Sequence, residues 1–389
     1  MLAMLLPIID VFSSRSPFVR WAGRSLVNCS LIAGYLAMVL AASGPLFGQE
    51  SDGQSDTDSA LLKYVAPKVI EMQIGLRIEP GDGNMVETQA QTVFPMDWPE
   101  QKVQILGYSV PSLLNYTFRD LPGNNRQLLF YSPLIHPGPP IEAIFRLSIE
   151  KSHIVGPDPS ETETLVIPRR SASKLKQFMG TSPYIDPNLG EIKRVVREID
   201  ATNPPTVWAR IERLYDWVRD NIQYENGEIK SVQQALKDRT GDCEEMTGIF
   251  IALCRAARVP ARCVWIPNHC YPEFCLEDAQ GEPHWFPCQV AGTRNFGNMP
   301  EYLPILQKGD RFKVPERKET QRYLADYLSS KTVTGQRRPK VVFIRNLLDD
   351  FDQHDANTIQ QNTIQPVAVP DSVDRPRPTS GREGAVAGE

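Results

Sequence analysis

Gly241-Asp242-Cys243-Glu244-Glu245 and, twenty-six residues after the cysteine, Asn268-His269-Cys270 are the stretches best suited to do chemistry. A thiol and an imidazole together permit nucleophilic catalysis: the imidazole takes or shares the thiol proton, and the thiolate attacks an acyl carbon. Two local settings would favour this pair. Asp242 reads as a helix N-cap with Glu245 in the capping-box position, which makes Cys243 the first helical residue, beside unpaired backbone amides that lower a thiol's pKa. His269 reads as the start of a strand. The backbone N–H of Cys243, at the mouth of the same helix, is the natural oxyanion donor.

The elements that must hold these residues are legible around them. Glu191–Ile199 and Thr206–Asn221 carry helical periodicity, the second with Val207, Trp208, Ile211, Leu214, Tyr215 and Val218 on one stripe and Pro204-Pro205 at its start. Ser231 can cap a short helix, with Gln234 three residues on. The helix after Asp242 buries Ile249, Phe250, Leu253 and Ala257. Strands are expected at Ala261–Ile266, His269–Leu276 and Trp285–Val290, the last two joined by the polar loop Glu277–His284. Arg317–Leu328, with Tyr323, Leu324, Tyr327 and Leu328 apolar, reads as a further helix. Earlier in the chain the period is that of strands: Val69–Ile78, Val103–Val110, Gln127–Tyr131 and Ile144–Ile149, separated by clusters such as Pro80-Gly81-Asp82-Gly83-Asn84. Short strands at this spacing suggest a small β-sandwich.

The 389 residues suffice for two or three modest domains, and a net charge of −5 argues against a nucleic-acid partner. No CxxC pair, HExxH, GxxxxGK[ST] or EF-hand loop occurs, and nothing in the chain demands a cofactor or a metal. At the N-terminus Arg15, Arg20 and Arg24 precede an uncharged stretch centred on Leu31–Ala42, followed by Ala41-Ala42-Ser43-Gly44. That is the pattern of an export signal, and both cleavage and retention as a membrane anchor stay open. Export to the periplasm, cell envelope or exterior is the expectation, and with it an oxidising setting for the remaining cysteines. The divisions expected are a leader or anchor at 1–48, a linker at 49–63, an Ig-like β-sandwich at 64–167, a helical and stranded domain at 168–345 and a disordered tail at 346–389.

Tyr215-Asp216-Trp217-Val218, Ile222-Gln223-Tyr224, Ala235-Leu236, Gly241-Asp242-Cys243, Ile251–Ala257, Val259-Pro260-Ala261-Arg262 and His269–Phe274 together resemble the core of the transglutaminase-like superfamily, over about 190–290. The resemblance implies an α+β, papain-like fold preceded by a β-sandwich. It also implies roles: Cys243 as nucleophile, His269 as base, Asp242 beside the oxyanion site, Trp265 lining the cleft or equally packing in the core, and a peptide or protein as substrate, with a cell-envelope component among the candidates. The third member of the family's triad is an aspartate just after a Trp-x-Pro-like segment. Here that segment is Trp285-Phe286-Pro287-Cys288-Gln289, so the position falls on Gln289. A glutamine carbonyl can orient the imidazole but adds no charge to stabilise an imidazolium, although papain-like enzymes work with an asparagine.

Two functional readings follow: a cysteine protease, amidase or transamidase, with hydrolysis ranked first, and a weak or inactive peptide- or envelope-binding module using the same cleft. Cys254 and Cys263 read as core residues, and His284 as a weaker alternative base. If His269 stands opposite Gln289, antiparallel register sets Cys270 opposite Cys288, a candidate cross-strand disulfide. Oligomeric state is not readable from the sequence.

Overall fold

The computed structural model describes residues 61–169, 172–332, 335 and 337–348. The strand-rich half forms from β1 (Lys63–Glu79), β2 (Met85–Phe94), β3 (Gln101–Ser109), β4 (Asn115–Leu121), β5 (Asn125–Ile135) and β6 (Ile141–Val155). Alternation decides which face is buried: Ile70, Met72, Ile74, Leu76 and Ile78 of β1 are all fully buried, with Glu71, Gln73 and Arg77 between them pointing away. Two short helices, α1 (Pro159–Thr162) and α2 (Ala172–Leu175), lead out of this half.

The helical half follows with α3 (Gly190–Ala201), α4 (Val207–Asn221), β7 (Gln223–Tyr224), α5 (Val232–Asp238), β8 (Thr240–Gly241) and α6 (Cys243–Ala256). The strands β9 (Ala261–Ile266), β10 (His269–Glu277), β11 (Pro283–Gln289), β12 (Asn295–Phe296) and β13 (Gln307–Lys308) form one sheet in the order β12-β11-β10-β9-β13. Its antiparallel core follows from the short connections, one of them Pro267-Asn268 between β9 and β10, where Asn268 takes a left-handed φ of 57°. Helix α6 is buried from Glu245 to Arg255 and packs on β9 and β10, with α3, α4 and α5 around it. The capping chemistry is largely as the sequence implies. Thr206 caps α4 through Ala209 N, and Ser231 caps α5 through Gln234 N at 3.2 Å, while the Gln234 side chain turns to Asp238 instead of back to the cap.

The chain then returns to the first half. β14 (Tyr327–Thr332) pairs with β2, and β15 (Lys340–Leu347) pairs with β1. The sandwich is therefore two four-stranded antiparallel sheets, β15-β1-β6-β3 and β14-β2-β5-β4, closed over one core. The helix expected at Arg317–Leu328 is absent, and the boundaries at 168–345 and 346–389 do not hold. The periodic apolar residues Tyr323, Leu324 and Leu328 belong to the sandwich core instead, and pairing with β2 outweighs local helical preference. The expected leader or anchor at 1–48, most of the linker at 49–63 and the tail beyond 348 lie outside the described residues. Among the described residues no helix is long and apolar enough to cross a membrane.

A small apolar cluster (Trp98, Ile154, Val264, Ile266, Tyr271, Met299, Ile305) joins the sandwich to the outer face of the β9–β13 sheet. Within it lies a buried ionic group. Lys308 Nζ stands 2.6 Å from Glu100 and 2.6 Å from Glu273, and Glu273 also accepts from Arg262 Nε at 2.7 Å. Arg262 in turn lies over the Trp285 ring, 4.0 Å from its centroid. Charges so desolvated persist only because each finds an opposite partner.

Candidate active site

Gly241, Asp242 and Cys243 turn the chain from β8 into α6. Asp242 caps the helix through Glu244 N at 2.7 Å, and Glu245 closes the capping box by accepting from Asp242 N at 2.9 Å and from Lys230 N at 2.8 Å. A side chain at position 241 would place its Cβ 2.5 Å from Glu245 Cβ, so the turn requires glycine. Cys243 is consequently the first helical residue, half-buried, and its N–H has no acceptor within the helix. Asp242 and Glu245 thus serve the helix end. Glu245 is nonetheless unusual: burial and then Asp242 push its pKa up to about 7.

His269 opens β10 beside that helix end. Its Nε2 lies 3.0 Å from Gln289 Oε1. An amide oxygen only accepts, so Nε2 carries the proton and Nδ1 keeps its lone pair. Nδ1 is buried without a hydrogen-bond partner, and the nearby Cys243 thiol raises the pKa of the ring. Gln289 is itself fixed from behind, its backbone carbonyl accepting from Tyr215 Oη at 2.7 Å and from Arg219 at 3.2 Å, both on α4. The structure thus brings Cys243, His269 and Gln289 together in the order thiol, imidazole, amide.

Burial opposes charging of His269, but the Cys243 thiol and Gln289 outweigh it, and the pKa lies above the ordinary value. The helix-mouth setting would lower the Cys243 pKa; here it is raised well above the usual range. The neighbouring Cys270 thiol is the first cause and burial the second, with His269 pulling the other way. The thiol is therefore protonated at rest, with the His269 ring as the base beside it.

The hairpin register corrects one expectation. Glu273 pairs with Pro287 and Glu277 with Pro283, a register offset by two residues from the one that would oppose His269 to Gln289. The β10–β11 ladder stops before His269, and the side chains span the offset. Cys270 and Cys288 are accordingly not opposed: Cys288 pairs with Phe296 of β12, and both cysteines are free thiols. Cys254 and Cys263 are buried core residues. His284 sits on the hairpin with its Nε2 2.7 Å from Asp278 and takes no part in the cluster.

Trp265 is the cross-strand partner of Cys270; it is almost fully buried, and its Nε1 donates to Gly309 O at 2.8 Å. The guanidinium of Arg322 covers its ring at 5.1 Å from the centroid, lies 5.3 Å from the Tyr184 ring centroid, and pairs with Glu244. Burial lowers the Arg322 pKa to about 10 against the fields of Asp242, Tyr184 and Cys243. Tyr224, held opposite Gly241 by the parallel β7–β8 pairing, stands within the field of Cys243 as well. Sequence reasoning assigned neither Arg322 nor Tyr184 to the cleft. Both lie outside the recognisable core, and no local pattern marks them.

Residues 193–290 match the transglutaminase-like superfamily. The helical half carries a transglutaminase-like core. The fold is also that of a proposed cysteine protease from Cytophaga hutchinsonii, at TM-score 0.50 and 15% identity, covering 74% of this chain and 93% of that one. A proposed protease from Parabacteroides distasonis shares 10% identity at TM-score 0.23 over 57% of this chain and 43% of its own, too slight a likeness to bear on the fold. No curated protein matches the sequence. The α+β architecture with a transglutaminase-like core is thus reached from the residues and from the comparisons alike.

Proposed function

We propose that this chain is a cysteine hydrolase of amide or peptide bonds. Cys243 Sγ attacks the carbonyl carbon as His269 Nδ1 takes its proton, the Cys243 N–H receives the oxyanion, and His269 returns the proton to the leaving amine. Water then cleaves the thioester; an amine in its place would give transamidation, which needs an acceptor site in addition. The observation that carries this reading is the Gln289–His269 contact, which fixes the ring and leaves Nδ1 free of any other partner at the helix end that bears Cys243. The charge pattern of the first 48 residues favours export, and we propose a peptide or protein of the cell envelope or its surroundings as substrate.

Labelling tests the chemistry. An activated-amide probe or iodoacetamide should modify one fast-reacting thiol in the wild type and lose that phase in Cys243→Ala. Equal labelling of the two proteins overturns the enzyme reading.

A second reading, a binding module that uses the same cleft, is favoured by the raised thiol pKa and by the uncharged Gln289. Turnover of peptide libraries discriminates: a binder retains peptides without cleaving them, in the wild type and in Gln289→Asp alike.

A further inference from the structure

Cys243 is not the only thiol at the head of α6. Along β9 and β10 the residues facing the helix are Cys263 and Trp265 on one strand and Cys270 and Phe274 on the other, while Val264, Ile266 and Tyr271 face the sandwich. Cys270 therefore points at the first turn of α6. Two contacts fix it there: its Sγ donates to Cys243 O at 3.7 Å, and its carbonyl lies 3.5 Å from Thr247 Oγ1, one helical turn beyond Cys243. The Cys270 thiol also bears on the Cys243 pKa, and Cys263 adjoins Cys270 from the strand behind, diagonal to it because its own cross-strand partner is Pro272. Among the described residues no group of His, Cys, Asp or Glu is arranged to hold a metal, so these thiols are neighbours without being a ligand set.

We infer that Cys270 is the resolving thiol of Cys243, and that peroxides convert the pair into a reversible intrachain disulfide. Exposure sets the order of events. Cys243 is half-buried, whereas Cys263 and Cys270 are at most 3% exposed, so the oxidant meets Cys243 first. With its proton drawn off by His269, the Cys243 thiolate attacks the distal oxygen of a hydroperoxide. The O–O bond breaks, an S–O bond forms, and an alkoxide or hydroxide leaves. Cys270 then displaces that oxygen: the S–O bond breaks, an S–S bond forms, and the hydroxide departs with the Cys270 proton as water. Without a thiol in contact a sulfenic acid proceeds to sulfinic acid, which is not recovered by thiols. A dithiol reductant reverses the disulfide by exchange, restoring both cysteines as it is itself oxidised. The nucleophile is thus masked and protected at once. The residue that suppresses Cys243 in the reduced protein is the one that saves it from irreversible oxidation.

The experiment needs no catalytic assay. The folded full chain is exposed to hydrogen peroxide, blocked with N-ethylmaleimide, digested without reduction and mapped by mass spectrometry. The expected product is a linked peptide pair joining Cys243 to Cys270, lighter by two hydrogens than the separate peptides. Dithiothreitol should then restore iodoacetamide labelling at Cys243. In Cys270→Ser, and in Cys270→Ala should the serine variant fold poorly, the link is lost and Cys243 accumulates as sulfinate that dithiothreitol does not recover; Cys263→Ser keeps the link. A Cys263–Cys270 link with Cys243 left free overturns the inference, as does equal recovery with and without the Cys270 thiol. The wild-type map and the Cys270 variants decide between these outcomes, and they do so whether or not amide cleavage is ever found.

Discussion

His269 Nε2 and Gln289 Oε1 lie 3.0 Å apart, and the amide supplies orientation there without charge. Gln289→Ala frees the ring, and a misplaced general base should cost on the order of 100-fold in acylation of Cys243. Gln289→Asp restores a charge that favours the imidazolium, so acylation should quicken several-fold and the lower limb of the rate's pH dependence should shift as the His269 pKa rises. Single-turnover kinetics with an activated amide measures both. An unchanged rate in Gln289→Ala would remove Gln289 from the site.

Glu245 joins the helix end to pH. Its carboxyl is protonated more readily in the folded chain, with a pKa of about 7 against an ordinary 4.5. A raised acid contributes stability that is complete below about 4.5 and is lost as the pH rises through about 7. Denaturation midpoints of the wild type relative to Glu245→Gln should therefore decline across that window and level off above it. A flat difference would show that the carboxyl keeps its ordinary titration. Gly241→Ala attacks the same turn sterically, since its Cβ would sit 2.5 Å from Glu245 Cβ. Overpacking of this kind costs about 1–3 kcal/mol, read from urea unfolding.

Lys308 is the cation between two buried carboxylates, at 2.6 Å from each. Lys308→Met removes it unequally: Glu273 keeps Arg262 at 2.7 Å, so Glu100 is the group that loses its direct partner. Breaking a buried pair in this way costs about 3–5 kcal/mol. Adding Glu100→Gln should recover part of that loss, and thermal or urea unfolding of the two variants checks it. Equal stability of the single and double variants would mean that Glu100 is satisfied without Lys308.

How much of this was legible in the sequence follows from the range over which each signal acts. Helix α6 and its cap were readable because Asp242, Glu245 and the stripe Ile249, Phe250, Leu253 act within a few residues. The same holds for β9, whose limits Ala261 and Ile266 are those its apolar pattern gives. The cluster of Cys243, His269 and Gln289 was reachable through the family likeness. The register beneath it was not, because the β10–β11 pairing is set by the loop around Asp278 and by packing against α4, neither of which has a local signature. The return of 327–347 to the sandwich was hidden for the same reason. The apolar spacing of Tyr323, Leu324, Tyr327 and Leu328 fits a helix equally well, and only pairing with β2, more than two hundred residues away, decides against it.

Arg322 is a charge beside the mouth of α6 that no sequence pattern announced. Its guanidinium stacks between Tyr184 and Trp265 and balances Asp242 and Glu244 at the mouth of α6. Without it those two carboxylates face Cys243 alone, and a negative field disfavours both the thiolate and an incoming anion. Arg322→Ala should therefore slow alkylation of Cys243 by iodoacetate more than by uncharged iodoacetamide, each measured relative to the wild type. Arg322→Lys should fall between, since it keeps the charge but loses the flat stacking face. If Arg322 only blocked the entrance, its removal would accelerate both reagents and leave their ratio unchanged. A fall in the iodoacetate-to-iodoacetamide ratio, diminished in high salt, would identify the effect as electrostatic, because screening weakens a field and leaves steric access as it was.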